Sequence, residues 1–162
     1  MDGETFIVDS VICDDDVAKV AVLGVPDRPG IAAHLFKALG DAMVPVEMVI
    51  QSVMRGDVND IAFLIRTEKL DSAIEVCRRM PDEIGAQGVT FDTEVSRIAL
   101  YGQGFSSRPG LPSDVFSLLA EGGINLEMIV ATPESICCVV CKSSAAEALS
   151  TLRNRFVGGL SS

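Results

Sequence analysis

The tripeptide Arg28-Pro29-Gly30 returns as Arg108-Pro109-Gly110, and the residues after each copy match without a gap at an offset of 80 (108 − 28). Phe36 falls on Phe116, Leu39 on Leu119, Glu47 on Glu127 and Met48 on Met128. The glycines that open the two loops, Gly24 and Gly102, pair at an offset of 78 (102 − 24), so the second loop is two residues longer. Self-similarity at a fixed offset means one supersecondary unit used twice. Any element assigned to one copy must therefore also fit the other.

Both copies read alike. Val20-Ala21-Val22-Leu23 and Ile98-Ala99-Leu100-Tyr101 are short apolar runs that stop at a glycine, which predicts strands. After each Pro-Gly, apolar residues recur at helical spacing: Ile31, Leu35, Ala38, Leu39 and Ala42, then Leu111, Val115, Leu118, Leu119 and Gly122. Strands are expected next over 44–53 and 124–131, then over 60–66 and 135–141. A second helix is expected over 69–80 and 143–154. Gly88-Val89-Thr90-Phe91 closes the first copy as a strand. The order is βαββαβ, so the expected fold is α+β: two ferredoxin-like modules, antiparallel sheets with helices on one face.

The second copy lacks its last strand. After Phe156 the chain reads Val157-Gly158-Gly159-Leu160-Ser161-Ser162, a poor strand. Thr5-Phe6-Ile7-Val8 and Val11-Ile12 at the front are strand-like and unassigned. The N-terminal segment is therefore expected to complete the second module. The expected domains are 17–92, and 1–16 together with 93–162. Neither face of the strands at 46–51 and 61–65 is fully polar. Both faces are thus expected to be covered, one by helices and one by another module or chain.

Composition narrows the function. Of 162 residues, 48% are hydrophobic and 22% charged, enough to bury a core and too apolar for disorder. No run approaches the ~20 apolar residues that span a bilayer, and Met1-Asp2-Gly3-Glu4 lacks a basic start, so a cytoplasmic protein without membrane association is expected. A formal net charge of −10 opposes nucleic acid, and with 5% aromatics and no tryptophan it also disfavours an RNA-binding sheet. Five cysteines argue against a disulfide framework. Cys138 and Cys141 have C-x-x-C spacing but sit on a strand, where residues three apart leave opposite faces and cannot share a metal. Buried, reduced cysteine is the expectation.

A search for catalysis finds little. The single histidine, His34, sits beside core-facing Leu35 on the first helix. Gly102-x-Gly104 lacks the later glycine of a dinucleotide loop, and no phosphate-binding loop occurs. No catalytic residue, metal or cofactor is assigned. The first loop offers a different chemistry. The helix start after Pro29 should present the N–H groups of Gly30, Ile31 and Ala32, which suit a carboxylate. Asp27 offers a counterion for an ammonium group, and Gln51 a side-chain amide. These three together describe a free amino-acid site; the plainer alternative is that Asp27 caps the helix. In the second copy Asp27 becomes Ser107 and Gln51 becomes Ala131, so the first loop is the better reader. Pro112 removes a donor at the second helix start.

These residues resemble a known family. Gly24-Val25-Pro26-Asp27-Arg28-Pro29-Gly30-Ile31-Ala32, Val46-Glu47-Met48-Val49-Ile50-Gln51 and Asn59-Asp60-Ile61-Ala62-Phe63 are similar to the first ACT domain of aspartate kinases. Arg108-Pro109-Gly110 with Gly123-Ile124-Asn125-Leu126-Glu127-Met128-Ile129 resembles the second. The likeness covers nearly the whole chain and includes no kinase domain. It implies a regulatory subunit, or a regulatory piece of a longer kinase. It also implies an effector, threonine and possibly lysine, bound where ACT domains meet in a homodimer, with feedback on aspartate phosphorylation in a catalytic subunit or domain. The family's effector positions fall on Asp27, the backbone of Gly30, Ile31 and Ala32, Gln51, Asn125, Leu126 and Thr132. A sensor attached to another enzyme and a structural dimerisation module are the alternatives.

Overall fold

The computed structural model describes residues 7–52 and 56–157. Thr5 and Phe6 of the expected N-terminal strand, Val53 of the expected 44–53 strand and the tail from Gly158 lie outside these described residues. The chain opens with β1 (Ile7–Asp14), whose partner comes late in the sequence. It divides into two compact units: Asp16–Thr93, and the described residues up to Asp15 together with those from Glu94 onward.

The Asp16–Thr93 unit contains β2 (Val17–Pro26), α1 (Ile31–Asp41), β3 (Glu47–Gln51), β4 (Val58–Arg66), α2 (Leu70–Cys77), α3 (Met80–Ile84) and β5 (Gly88–Asp92). Its sheet has the antiparallel order β3-β4-β2-β5. Alternate residues of the two central strands, Ala18, Val20 and Val22 with Ile61, Phe63 and Ile65, form one wall of the core. Leu35 and Leu39, one helical turn apart on α1, form the other with Ala73, Val76 and Cys77 of α2. Phe36 meets Phe63 edge-on, with ring centroids 5.6 Å apart. Burial of a side chain such as Phe63 or Leu35 stabilises by about 1.5–3 kcal/mol.

The other unit contains β6 (Val95–Gln103), α4 (Leu111–Glu121), β7 (Met128–Thr132), β8 (Ser135–Cys141) and α5 (Ala145–Phe156). Its sheet order is β1-β6-β8-β7, so β1 occupies the edge that β5 holds in the first unit. Val11 of β1 lies opposite Leu100 and enters the core with Ile98, Ile136, Val115, Leu119 and Leu152. Arg153 on α5 donates Nε–H to the carbonyl of Val11 at 3.0 Å. The buried Ser96 hydroxyl donates to the carboxylate of Asp15 at the end of β1. Leu64, Val95, Ala99 and Val139 point away from the helices by strand alternation and are also fully buried, so neither sheet has a wholly solvated second face.

Three elements differ from the sequence expectation. The strands expected from 44 and 124 begin at Glu47 and Met128. Val44 and Ile124 instead donate to the carbonyls of Leu39 and Leu119 at 2.9 and 3.0 Å, closing the C-termini of α1 and α4. With Met43→Gly40 and Gly123→Ala120 bonds of 3.0 and 2.9 Å, these are paired Schellman closures. The left-handed position is Gly123 (φ 73) in one copy and Met43 (φ 59) in the other. The helix expected over 69–80 is two helices, because Pro81 at the start of α3 has no N–H to continue the ladder. β3 carries a bulge between Glu47 and Ile50, with Met48 at φ 50.

The cysteines are all free thiols. Cys77 and Cys138 sit in the two cores. Burial pushes the Cys77 thiol up to about 11, and burial with the neighbouring Cys137 pushes Cys138 up to about 12. Cys141 is exposed, its sulfur 3.2 Å from the Ser143 hydroxyl. Since the thiolate is the nucleophile, an alkylating reagent at neutral pH should label native Cys141 and spare Cys77 and Cys138 until denaturant is added. Equal labelling of all three in the native protein would contradict this packing. Deleting residues 1–14 should remove Val11 and its strand bonds, and lower the melting temperature through the β6–β8 unit. Unchanged melting would show that β1 carries none of that sheet's stability.

Candidate functional site

The first loop is shaped by its neighbours on β4. β2 is bulged between Val22 and Val25, where Gly24 takes φ 59, and its amide donates to Asp60 Oδ1 at 2.9 Å. Asp27 donates its amide to the carbonyl of Asp57 at 2.9 Å. Asp60 also donates its amide to Ser52 Oγ and accepts the amide of Ser52 on its carbonyl, both at 2.9 Å. One residue of β4 therefore ties the end of β3 and the start of the loop to the same end of the sheet. That tie brings exposed Gln51, opposite Ile61, to the end that carries Asp27.

The helix start differs in detail from the sequence expectation. Gly30 is the N-cap at φ 91, and α1 receives no side-chain cap, so Asp27 is not a capping residue and its carboxylate is exposed. Of the three expected donors, Ile31 is used internally, its amide donating to the carbonyl of Arg28 at 3.3 Å in the turn that starts the helix. The amides of Gly30 and Ala32 enter no backbone hydrogen bond among the described residues, leaving two donors at a positively polarised helix end. Asp27, Gly30, Ile31, Ala32 and Gln51 thus belong to one end of one unit.

The remaining three residues lie in the other unit. Asn125 is exposed ahead of β7, and Leu126 is half-buried against that unit's core. Thr132 ends β7; its hydroxyl lies 2.8 Å from that of Ser135 and accepts the amide of Glu134 at 3.2 Å, shaping the β7–β8 turn. Asn125 and Thr132 flank opposite ends of β7 and are not brought together within the unit. A cleft of about 270 Å³ at the Thr132 end is lined by Arg108, Leu111, Pro112 and Ala131, the positional counterparts of the first loop's residues. Ser107 there donates its hydroxyl to the carbonyl of Gly104 at 2.6 Å, closing its own turn. Gly102, the counterpart of Gly24, donates its amide to the main-chain carbonyl of Glu134 instead of to a carboxylate.

Side chains suited to catalysis are engaged elsewhere. His34 Nε2 lies 2.8 Å from Glu83 Oε2, half-exposed between α1 and α3. That bond, helped by Arg79, holds the Glu83 carboxyl below its ordinary range. No cluster of three metal-ligating side chains occurs among the described residues, and no helix there is long and apolar enough to cross a membrane. Sequence reasoning did not single out Asp60. It stood within a matched motif, but an amide-to-carboxylate tie across 36 residues leaves no local pattern.

Comparison with known proteins places these features. A family model described as "ACT domain" matches residues 20–80 and 98–156. The regulatory subunit of aspartate kinase from Thermus thermophilus, in its ligand-free form, superposes with a TM-score of 0.86 at 30% identity, over 92% of this chain and 98% of that one. A structure of aspartokinase alpha and beta subunits gives a TM-score of 0.85 at 29% identity, over 93% of this chain and 99% of that one. Aspartokinase from Mycolicibacterium smegmatis is 33% identical over 159 residues, covering 96% of this chain and 38% of that protein. The chain therefore spans well under half the length of that relative.

Proposed function

We infer function from one premise: the chain belongs to the ACT domain family and corresponds to the regulatory part of an aspartokinase. On our reading it binds threonine, lysine or both where ACT domains meet, and so feedback-inhibits phosphorylation of L-aspartate by a cytoplasmic catalytic subunit or domain. The ACT domains are residues 17–92, and 93–162 completed by 1–16. The observation that carries this reading is the end of the first unit. There the exposed Asp27 carboxylate, the Gly30 and Ala32 amides and Gln51 share one edge under the Asp60 tie.

A free amino acid is a zwitterion, and this edge is its complement. The amides at the start of α1 take the carboxylate, Asp27 takes the ammonium group, and Gln51 adds a polar contact from β3. Asn125 and Leu126 come to this edge from the second ACT domain of a partner copy in a homodimer, while Thr132, at the far end of β7, belongs to the opposite end of that domain. Exposed Val49 and Ile129, equivalent positions on the edge strands β3 and β7, support apolar pairing between copies.

Inhibition follows by linkage. The effector binds one quaternary arrangement more tightly than the other and shifts the kinase towards the inactive one, for which a coupling of about 1–3 kcal/mol suffices. Threonine at ~100 times its dissociation constant should stabilise the native chain by about 2.7 kcal/mol. Asp27→Ala should abolish the resulting rise in melting temperature while leaving the ligand-free melt within about 0.5 kcal/mol of the parent, since the side chain is exposed. An Asp27→Ala chain still stabilised by threonine would contradict the assigned site.

A further inference from the structure

We propose that Met43 of one copy of the chain fills the cleft at the second loop of a second copy. The proposal rests on copies pairing through the β3 and β7 edges and does not depend on which amino acid is bound. Met43 is 72% exposed, the most exposed large hydrophobic residue among those described. It also holds φ 59, a left-handed conformation that its counterpart Gly123 adopts at φ 73 with no side chain to strain. The turn itself needs only a glycine there, since both copies close the helix with the same pair of bonds. An apolar side chain held in water on a strained backbone gives its own unit nothing, which points to a contact outside that unit.

The cleft of about 270 Å³ at the second loop is lined mainly by apolar side chains, among them Phe105, Leu111, Pro112, Ala131 and Ile136. It stands where the first module has its amino-acid edge, but the polar readers are gone. Ala131 replaces Gln51, Ser107 replaces Asp27, and Pro112 replaces Ala32 and has no N–H to offer a carboxylate. Among the described residues that line it there is no carboxylate for an ammonium group. An unbranched methionine suits such an irregular apolar gap. The charged residue in the lining is Arg108, whereas the turn that presents Met43 is flanked by Asp41 and Glu47, so the two surfaces are complementary in charge.

The strand register brings the two together. β3 and β7 are edge strands of their sheets. Gln51 ends β3, and Asn125 and Leu126 precede β7, so joining them at the first-loop site sets the two strands antiparallel. The start of β3 then meets the end of β7. Met43 lies just ahead of Glu47, where β3 starts, and Ala131 and Thr132 end β7 in the wall of the cleft. Exposed Val49 and Ile129 lie between the two contacts. The pairing that completes the first-loop site therefore carries Met43 to the second-loop cleft, and two-fold symmetry makes the contact twice in a dimer.

The test uses the full chain, with dimer dissociation constants from analytical ultracentrifugation. Met43→Gly removes the side chain and suits φ 59, so in dilute solution its melting temperature should not fall below the parent's. Its dimer dissociation constant should nevertheless rise at least about tenfold. Ala131→Glu, on the exposed wall of the cleft, should also weaken the dimer, and the double variant should lose little more than either alone, because both remove one contact. In dimers mixed from methyl-labelled and unlabelled chains, the Met43 methyl should show intermolecular NOEs to Leu111 and Ala131. Additive losses, absent NOEs, or a Met43→Gly chain that dimerises as tightly as the parent would overturn the proposal and leave the pairing of copies standing. A parent that stays monomeric at every concentration reached overturns that pairing and the proposal with it. If the Leu111 and Ala131 methyls respond to a free amino acid added to the dimer, the cleft is a ligand site and Met43 does not fill it.

Discussion

The second sheet has four strands because the first strand of the chain pairs with β6. Val11 opposite Leu100 and Cys13 opposite Ile98 fill an edge that no later segment of the described chain reaches. The repeat is therefore nested: the Asp16–Thr93 unit is set within the other, and the chain passes between them at Asp15–Asp16 and Thr93–Glu94. Asp15 takes the hydroxyl of buried Ser96 at this crossing, so the exit from β1 and the entry to β6 are fastened where the insertion begins and ends. An inserted module with both ends fixed can diverge in its loops while its sheet stays in register.

That divergence is visible at the loops. Gly24 and Gly102 occupy the same place, yet one is held by a carboxylate and the other by a main-chain carbonyl. A carboxylate from β4 leaves the loop's own polar groups outward, and Asp27 stands exposed. In the second copy Ser107 turns back on Gly104 and Arg108 is paired with Asp114. In the second loop the Ser107 and Arg108 side chains are engaged within the loop and its helix, whereas the first keeps an exposed carboxylate at Asp27.

Much of this was legible in the sequence because it depends on periodicity. Short apolar runs, such as Val20–Leu23 ending at a glycine, gave the central strands, and the spacing of Leu35 and Leu39 gave α1. The misses were local. Val44 and Ile124 looked like strand residues because they are apolar, but their amides close helices. Pro81 broke a helix that apolar spacing alone would continue. The placement of Asp27, Gly30 and Gln51 at one end of one unit was legible from residue type and position. The engagement of the Ile31 amide depends on turn geometry, which leaves no pattern in the order of residues.

The central claim is that the first module, and not the second, receives the amino acid. Backbone amide chemical shifts recorded while threonine is titrated into the intact chain address it residue by residue. The account predicts shifts concentrated at 27–32, 51–52 and 59–61, with 106–112 lagging or silent. Shifts centred on 106–112 and 131–135, or none in either loop, would contradict it.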